Sequence, residues 1–174
     1  MKTVFLLIAF FSVTAMAPAQ KQQTFIGKNH LALKNDLMTP EALWAMGRIS
    51  TFTPSPDGKN AIYGVTYYSV PQNKSHAVLY AFDIATKKSH MLTKDTKSEN
   101  APTYINGGKQ ILYLSAKSGS NQLWCMDADG SNRKQVTQLD DDVEDYLLSP
   151  DEKKIIIIRL THLSTNDSAS SVVR

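Results

Sequence analysis

From residue 48 to residue 160 the chain is built of short apolar or alternating runs separated by Gly, Pro, Asn and Asp. The runs 61–68, 77–83, 89–93, 110–115, 122–127 and 155–158 are rich in β-branched and aromatic residues, and each is only about four to eight residues long, which predicts strands. The punctuation between them predicts tight turns. In Ser55-Pro56-Asp57-Gly58-Lys59 the proline presets φ and the glycine closes the turn, and Ser149-Pro150-Asp151-Glu152-Lys153 follows the same plan. Asn106-Gly107-Gly108-Lys109 is a third turn. Asp129-Gly130 is a fourth, where Gly130 takes the positive φ of a hairpin and Asp129 tolerates it.

The pattern repeats. Leu123-Trp124-Cys125-Met126-Asp127 echoes Leu79-Tyr80-Ala81-Phe82-Asp83, with Tyr80 and Trp124 44 residues apart, as are Thr93 and Thr137, and Lys109 and Lys153. Four short strands per unit of about 40–45 residues is the signature of propeller blades. The expected fold is therefore all-β, a partial β-propeller of about two and a half four-stranded blades over 48–160, preceded by a short helix. Stretch 123–133 reads as the inner hairpin of a blade. Lys59 and Lys109 are 50 apart, and the six extra residues are assigned to an elongated loop around Val70 to Ser75. Blades pack on both faces, so the uninterrupted run Ile155-Ile156-Ile157-Ile158 is expected to be buried on both sides.

Upstream the pattern changes. A short positive start, an apolar run from Val4 to Val13 and small residues at Ala17 and Ala19 predict a signal peptide over 1–19, cleaved before Gln20. The run falls short of the ~20 residues of a membrane span, so a periplasmic or secreted product without a membrane anchor is expected. Residues 20–36 read as a flexible polar leader. Within 37–47 Thr39 is placed to cap a short helix, Pro40 suits its first turn, Glu41 complements the dipole, and Gly47 is a natural stop. Leu43, Trp44 and Met46 give that helix an apolar side with which to dock. The tail, 161–174, is polar and of low complexity.

Composition narrows the function classes. With 42% hydrophobic and 20% charged residues a packed core is expected, and a net charge of +3 from scattered lysines, with no basic stripe, argues against a nucleic-acid partner. Cys125 is the only cysteine and reads as a small apolar strand residue. His30, His76, His90 and His162 are far apart, lack metal-ligand spacing, and read as surface residues. Asp140, Asp141, Asp142, Glu144 and Asp145 form an acidic cluster that reads as a solvated loop between blades; a calcium site lacks its spaced ligands, and Glu144 as an anchor for a peptide amino terminus is the functional alternative. Asn166-Asp167-Ser168 matches a glycosylation acceptor. No metal and no cofactor is expected.

Ser-Pro-Asp-Gly-Lys before a strand, with Leu123-Trp124-Cys125-Met126-Asp127-Ala128-Asp129-Gly130-Ser131-Asn132-Arg133 and Thr137 after the next, resembles the TolB-type propeller repeat. With Leu37-Met38-Thr39-Pro40-Glu41 and Gly47-Arg48-Ile49-Ser50 ahead of it, the stretch from about Leu37 to Leu160 is similar to the amino-terminal propeller of exported prolyl oligopeptidase-family serine peptidases of the dipeptidyl peptidase type. The resemblance implies a propeller that shields and admits peptide substrates to a separate α/β-hydrolase domain carrying Ser, Asp and His. No Gly-x-Ser-x-Gly nucleophile elbow occurs in the 174 residues, so no catalytic residue is assigned, and peptides are substrates only when the propeller is joined to such a domain. The expectation is a truncated or frame-shifted piece of a longer peptidase, inactive alone. A TolB-like module that binds a protein partner, and a non-functional gene product, are the alternatives.

Overall fold

The computed structural model describes residues 25–28 and 37–160. The signal peptide, the cleavage site at Ala19, His30, His162, Asn166 and the polar tail lie outside the described residues.

Helix α1 (Pro40–Ala45) begins as its sequence dictates: the Thr39 hydroxyl accepts from the Ala42 amide at 3.2 Å, and Pro40 occupies the first turn, where its missing N–H leaves nothing unpaired. It buries Ala42, and Trp44 meets Tyr68 edge-on with ring centroids 5.4 Å apart, whereas Leu43 and Met46 stay exposed. The stop at Gly47 has a different cause from the one expected. The helix ends at Met46 in extended backbone and Gly47 has no positive φ. A Cβ at Gly47 would lie 2.7 Å from both Tyr67 and Val65, so glycine is needed for close passage.

The strands form two four-stranded antiparallel sheets and a two-stranded one. The first holds β1 (Arg48–Pro54), β2 (Asn60–Ser69), β3 (Lys74–Asp83) and β4 (Lys88–Met91) in that order; the second holds β5 (Glu99–Ile105), β6 (Gln110–Ser115), β7 (Gln122–Asp127) and β8 (Lys134–Gln135); the third pairs β9 (Val143–Leu148) with β10 (Ile155–Arg159). This is the all-β arrangement of two complete blades and half of another, preceded by a helix.

The core lies between sheets. Ile62, Leu79 and Leu92 of the first meet Ile111, Tyr113 and Met126 of the second, while Leu112, Leu114 and Leu123 face Val143 and Tyr146 of the third. Successive side chains of a strand point to opposite faces, so β6, sandwiched between two sheets, is apolar at every position from Ile111 to Leu114. Each of these fully buried side chains contributes about 1.5–3 kcal/mol. The same logic fails at β10. Ile157 packs inward, but Ile156 and Ile158, on the opposite face of β10, which no described sheet covers, are exposed, as is Ile155 at the start of the strand.

The repeat period has a hydrogen-bonding basis. The Thr93 hydroxyl accepts from the Leu79 amide at 3.0 Å, and the Thr137 hydroxyl accepts from the Leu123 amide at 2.9 Å, the same closure one repeat later. The turns at 55–59 and 149–153 are likewise bonded in the same way: the serine hydroxyl donates 2.6 Å to the aspartate, which accepts from the lysine amide two residues on. Gly58 stands at φ 69°; Glu152, its counterpart, is held at φ 57° and its carboxylate accepts from the Asn106 amide of the second sheet at 2.6 Å.

Two expectations need correction. The six extra residues of the first blade do not form a loop. β2 and β3 have ten residues each against six in β6 and β7, while the connection shortens from residues 116–121 to residues 70–73. The insertion is therefore paired strand, in register from Asn60↔Asp83 to Ser69↔Lys74. Stretch 123–133 is not an inner hairpin either, since it leads into β8, the edge strand of its sheet. Within it Gly130 takes φ 87° as expected, but Asp129 does not leave the ordinary region; its carboxylate instead accepts from the Ser131 amide and hydroxyl at 2.9 and 2.6 Å.

Neighbouring blades are stitched at regular intervals. Thr53 donates to the Pro102 carbonyl, Arg133 to the Leu92 carbonyl, Tyr146 to the Ala101 carbonyl, and the Asn106 amide to Glu152, at sequence separations of 49, 41, 45 and 46 residues.

Candidate functional site

A cleft of about 380 Å³ lies between α1 and the lengthened tip of the β2–β3 hairpin. Trp44 forms one wall, Tyr68 and Ser75, opposed in register, belong to the tip, and Val70, Asn73 and Lys74 line its end. The Arg48 guanidinium lies 4.8 Å from the Trp44 ring centroid and 4.5 Å from that of Tyr68, a double cation–π contact that fixes a positive charge beside an apolar hollow.

A second cleft, of about 310 Å³, opens between the first two sheets, with Asp57, Asn60, His90, Tyr104 and Asp129 among its lining residues. Its carboxylates are engaged within their own turns, and the hydrogen bonds they accept hold both below the usual carboxylate range. Burial, with Asp57 nearby, pushes the Tyr104 hydroxyl up. The cleft can receive polar groups, and its Ser55 hydroxyl is engaged by Asp57 within the turn.

Between the same two sheets lies a buried ionic group that the sequence did not announce. Glu99 is 1% exposed. Burial pushes its carboxyl up, against the opposing pull of the Thr93 hydroxyl and the Arg133 cation. Arg133 Nη1 is 3.6 Å from Glu99 and 3.3 Å from Asp95, which also pairs with Lys117 at 3.1 Å. Arg133 reaches back from the β7–β8 turn, its Nε donating to the Gly130 carbonyl. This arginine, beyond the Asp-Gly pair of the turn, therefore joins the blades.

The residues singled out from the sequence fall in separate places. In the acidic cluster Asp142 accepts from the Asn121 amide and Asp141 pairs with Arg159 at 3.7 Å. The loop is held from within by Gln122, whose amide donates to the Leu139 and Asp141 carbonyls. Glu144 is exposed on β9. Among the described residues no group of three His, Cys, Asp or Glu is placed to hold a metal ion. His90 is exposed as expected, but His76 is not a surface residue: it is 3% exposed, its ring nitrogens are 2.7 Å from the Ile26 carbonyl and 3.1 Å from the Lys97 carbonyl, and Phe25 meets it edge-on. Segment 25–28, inside the stretch read as a leader, thereby rests on the first blade. Cys125 is half-buried in β7, and burial pushes its thiol up. No described helix is long and apolar enough to cross a membrane.

No family model matches the chain. It is 34% identical over 123 residues to the dipeptidyl-peptidase 5 of Porphyromonas endodontalis, a match that covers 71% of this chain and 18% of that protein. The chain thus spans about a fifth of the length of the curated relatives it matches. Among solved structures, a TolB-like protein of Agrobacterium tumefaciens aligns with a TM-score of 0.53 at 24% identity, over 63% of this chain and 38% of that one. The acylaminoacyl peptidase of Pyrococcus horikoshii aligns with a TM-score of 0.55 at 14% identity, over 66% of this chain and 17% of that one. These two likenesses concern the fold alone. The chain is homologous to dipeptidyl-peptidase 5 over some seven-tenths of its length, and its blades have the fold of TolB-like and peptidase propellers.

Proposed function

We propose that the chain supplies the amino-terminal propeller portion of an exported serine peptidase of the dipeptidyl peptidase type, where it admits and positions peptides for a hydrolase domain. The observation that carries this reading is the 34% identity to a dipeptidyl-peptidase over 123 residues, in a chain whose described residues fold as blades. The blades bring shape and no acylation chemistry: a serine nucleophile, a base and an oxyanion hole would come from the partner domain. Gating requires that the propeller discriminate among peptides by size or sequence before they reach the nucleophile.

A chimera tests this. The matched stretch of the Porphyromonas endodontalis enzyme is replaced by the corresponding stretch of this chain, and release of dipeptides is measured on a dipeptidyl coumarylamide and on a decapeptide. The expected result is a folded chimera that cleaves both, with a changed ratio of kcat/KM between the long and the short substrate. A folded chimera whose ratio is that of the parent enzyme would overturn the gating role. For export, residues 1–36 are fused to a reporter active only outside the cytoplasm; activity with a new amino terminus at Gln20 is expected, and an unprocessed, inactive fusion refutes it.

A further inference from the structure

The lengthened β2–β3 hairpin has two faces with different fates. Tyr67 and His76, opposed in register, are buried on the side where segment 25–28 lies. Tyr68 and Ser75, the next pair, face the cleft beside α1. The second blade builds its core without these extra residues, so the cleft is an addition to the blade plan. Its rim stays apolar and open, with Trp44 41% and Val70 63% exposed.

Charge says what kind of group belongs there. Arg48, held over two rings, and Lys74, on the lining, take part in none of the ion pairs among the described residues. The nearest acidic residue along α1, Glu41, is engaged by the Thr39 hydroxyl and the helix backbone. An arginine stacked on aromatic rings keeps its planar donors preorganised for a carboxylate, and the rings offer an apolar surface beside it. We propose that this cleft docks a peptide segment presenting an apolar side chain flanked by a carboxylate. The side chain seats against Trp44, Tyr68 and Val70, and the carboxylate meets Arg48 and Lys74. No peptidase domain is needed for this docking, because the binding groups all belong to this chain.

The test is fluorescence anisotropy of labelled Gly-Glu-Phe-Glu-Gly added to the full chain, with Gly-Lys-Phe-Lys-Gly and Gly-Gln-Phe-Gln-Gly as counterparts. Saturable binding of the glutamate peptide is expected, with a dissociation constant of about 0.1–1 mM, and at least about tenfold weaker binding of the lysine peptide. Arg48→Gln is expected to weaken the glutamate peptide about tenfold while leaving the glutamine peptide nearly unchanged. Trp44→Ala should weaken both, and Lys74→Glu, in an exposed position, serves where a change in the aromatic stack alters the fold. Equal binding of the lysine peptide, insensitivity to both charge changes, absence of saturation, or self-association abolished by Trp44→Ala without peptide binding would each overturn the proposal.

Discussion

Arg133→Met removes the cation from the buried group at the junction of the first two blades while keeping much of its apolar stem. The variant loses the pairings with Glu99 and Asp95 and the bond to the Leu92 carbonyl, and leaves Glu99, 1% exposed, without its cation. Breaking a buried pair from one side costs about 3–5 kcal/mol in general, and the 21% exposure of the Arg133 side chain places the expected loss at the lower end, about 3 kcal/mol at pH 8. For a domain of this size that corresponds to a fall in Tm of roughly 12 °C. The sign with pH follows from the direction of the Glu99 shift. Its folded pKa is raised above 4.5, so the folded state holds this proton more tightly than the unfolded chain. The stabilisation from that proton is complete below 4.5 and is lost as pH rises through the folded value. Without Arg133, which pulls that pKa down, the loss moves to higher pH and grows. Urea unfolding of the wild type, Arg133→Met, Glu99→Gln and the double variant, at pH 4 and pH 8, measures this. Glu99→Gln should flatten the pH dependence, and the double variant should recover most of the loss seen in Arg133→Met at pH 8. An equal loss at both pH values, or a double variant no more stable than Arg133→Met, would refute the reasoning.

Three further outcomes are expected. Gly130→Ala places a Cβ at φ 87° and 2.9 Å from the Leu92 carbonyl oxygen, and should lower stability by about 2 kcal/mol in urea unfolding. Tyr146→Phe removes the hydroxyl that donates to the Ala101 and Leu112 carbonyls at 2.7 and 3.1 Å, and should cost about 1–2 kcal/mol, visible as a lower Tm by circular dichroism. Burial holds the Cys125 thiol above its usual range, so its reaction with a disulfide reagent at pH 7 should be slower than that of a free cysteine and should accelerate in urea; full reactivity in the native chain contradicts the placement.

The blades are legible in the sequence because their causes are local. Turn residues such as Gly58 and Gly130 act through their own φ, and Thr93 and Thr137 recur because each closes its blade with the same hydroxyl bond. Sequence and structure part where partners lie far along the chain. Gly47 looks like a helix stop until Tyr67 and Val65 are brought beside it, and His76 looks exposed until Ile26 and Lys97 enclose it. The insertion in the first hairpin reads as a loop around Val70 to Ser75 because that stretch is polar, whereas the register carries strand pairing as far as Ser69↔Lys74 and leaves only residues 70–73 to the turn. Of the candidate clefts, the sequence shows Trp44 as a docking residue but not its meeting with Tyr68 and Arg48. The Glu99–Arg133 pairing is invisible for the same reason: neither residue sits in a recognisable motif of charges.

Four stitches between blades, from Thr53, Asn106, Arg133 and Tyr146, join residues separated by about one repeat, from 41 to 49 positions. Each bond of this set ties a blade to its immediate neighbour. Stability in such an array grows by neighbour terms, and folding can advance as each new blade meets the one before it. A chain emerging amino terminus first could then fold in that order, each blade acting as the template for the next. Within that order, Arg133 and Tyr146 act as checkpoints: each arrives late in the chain and completes the hydrogen bonding of a blade already made.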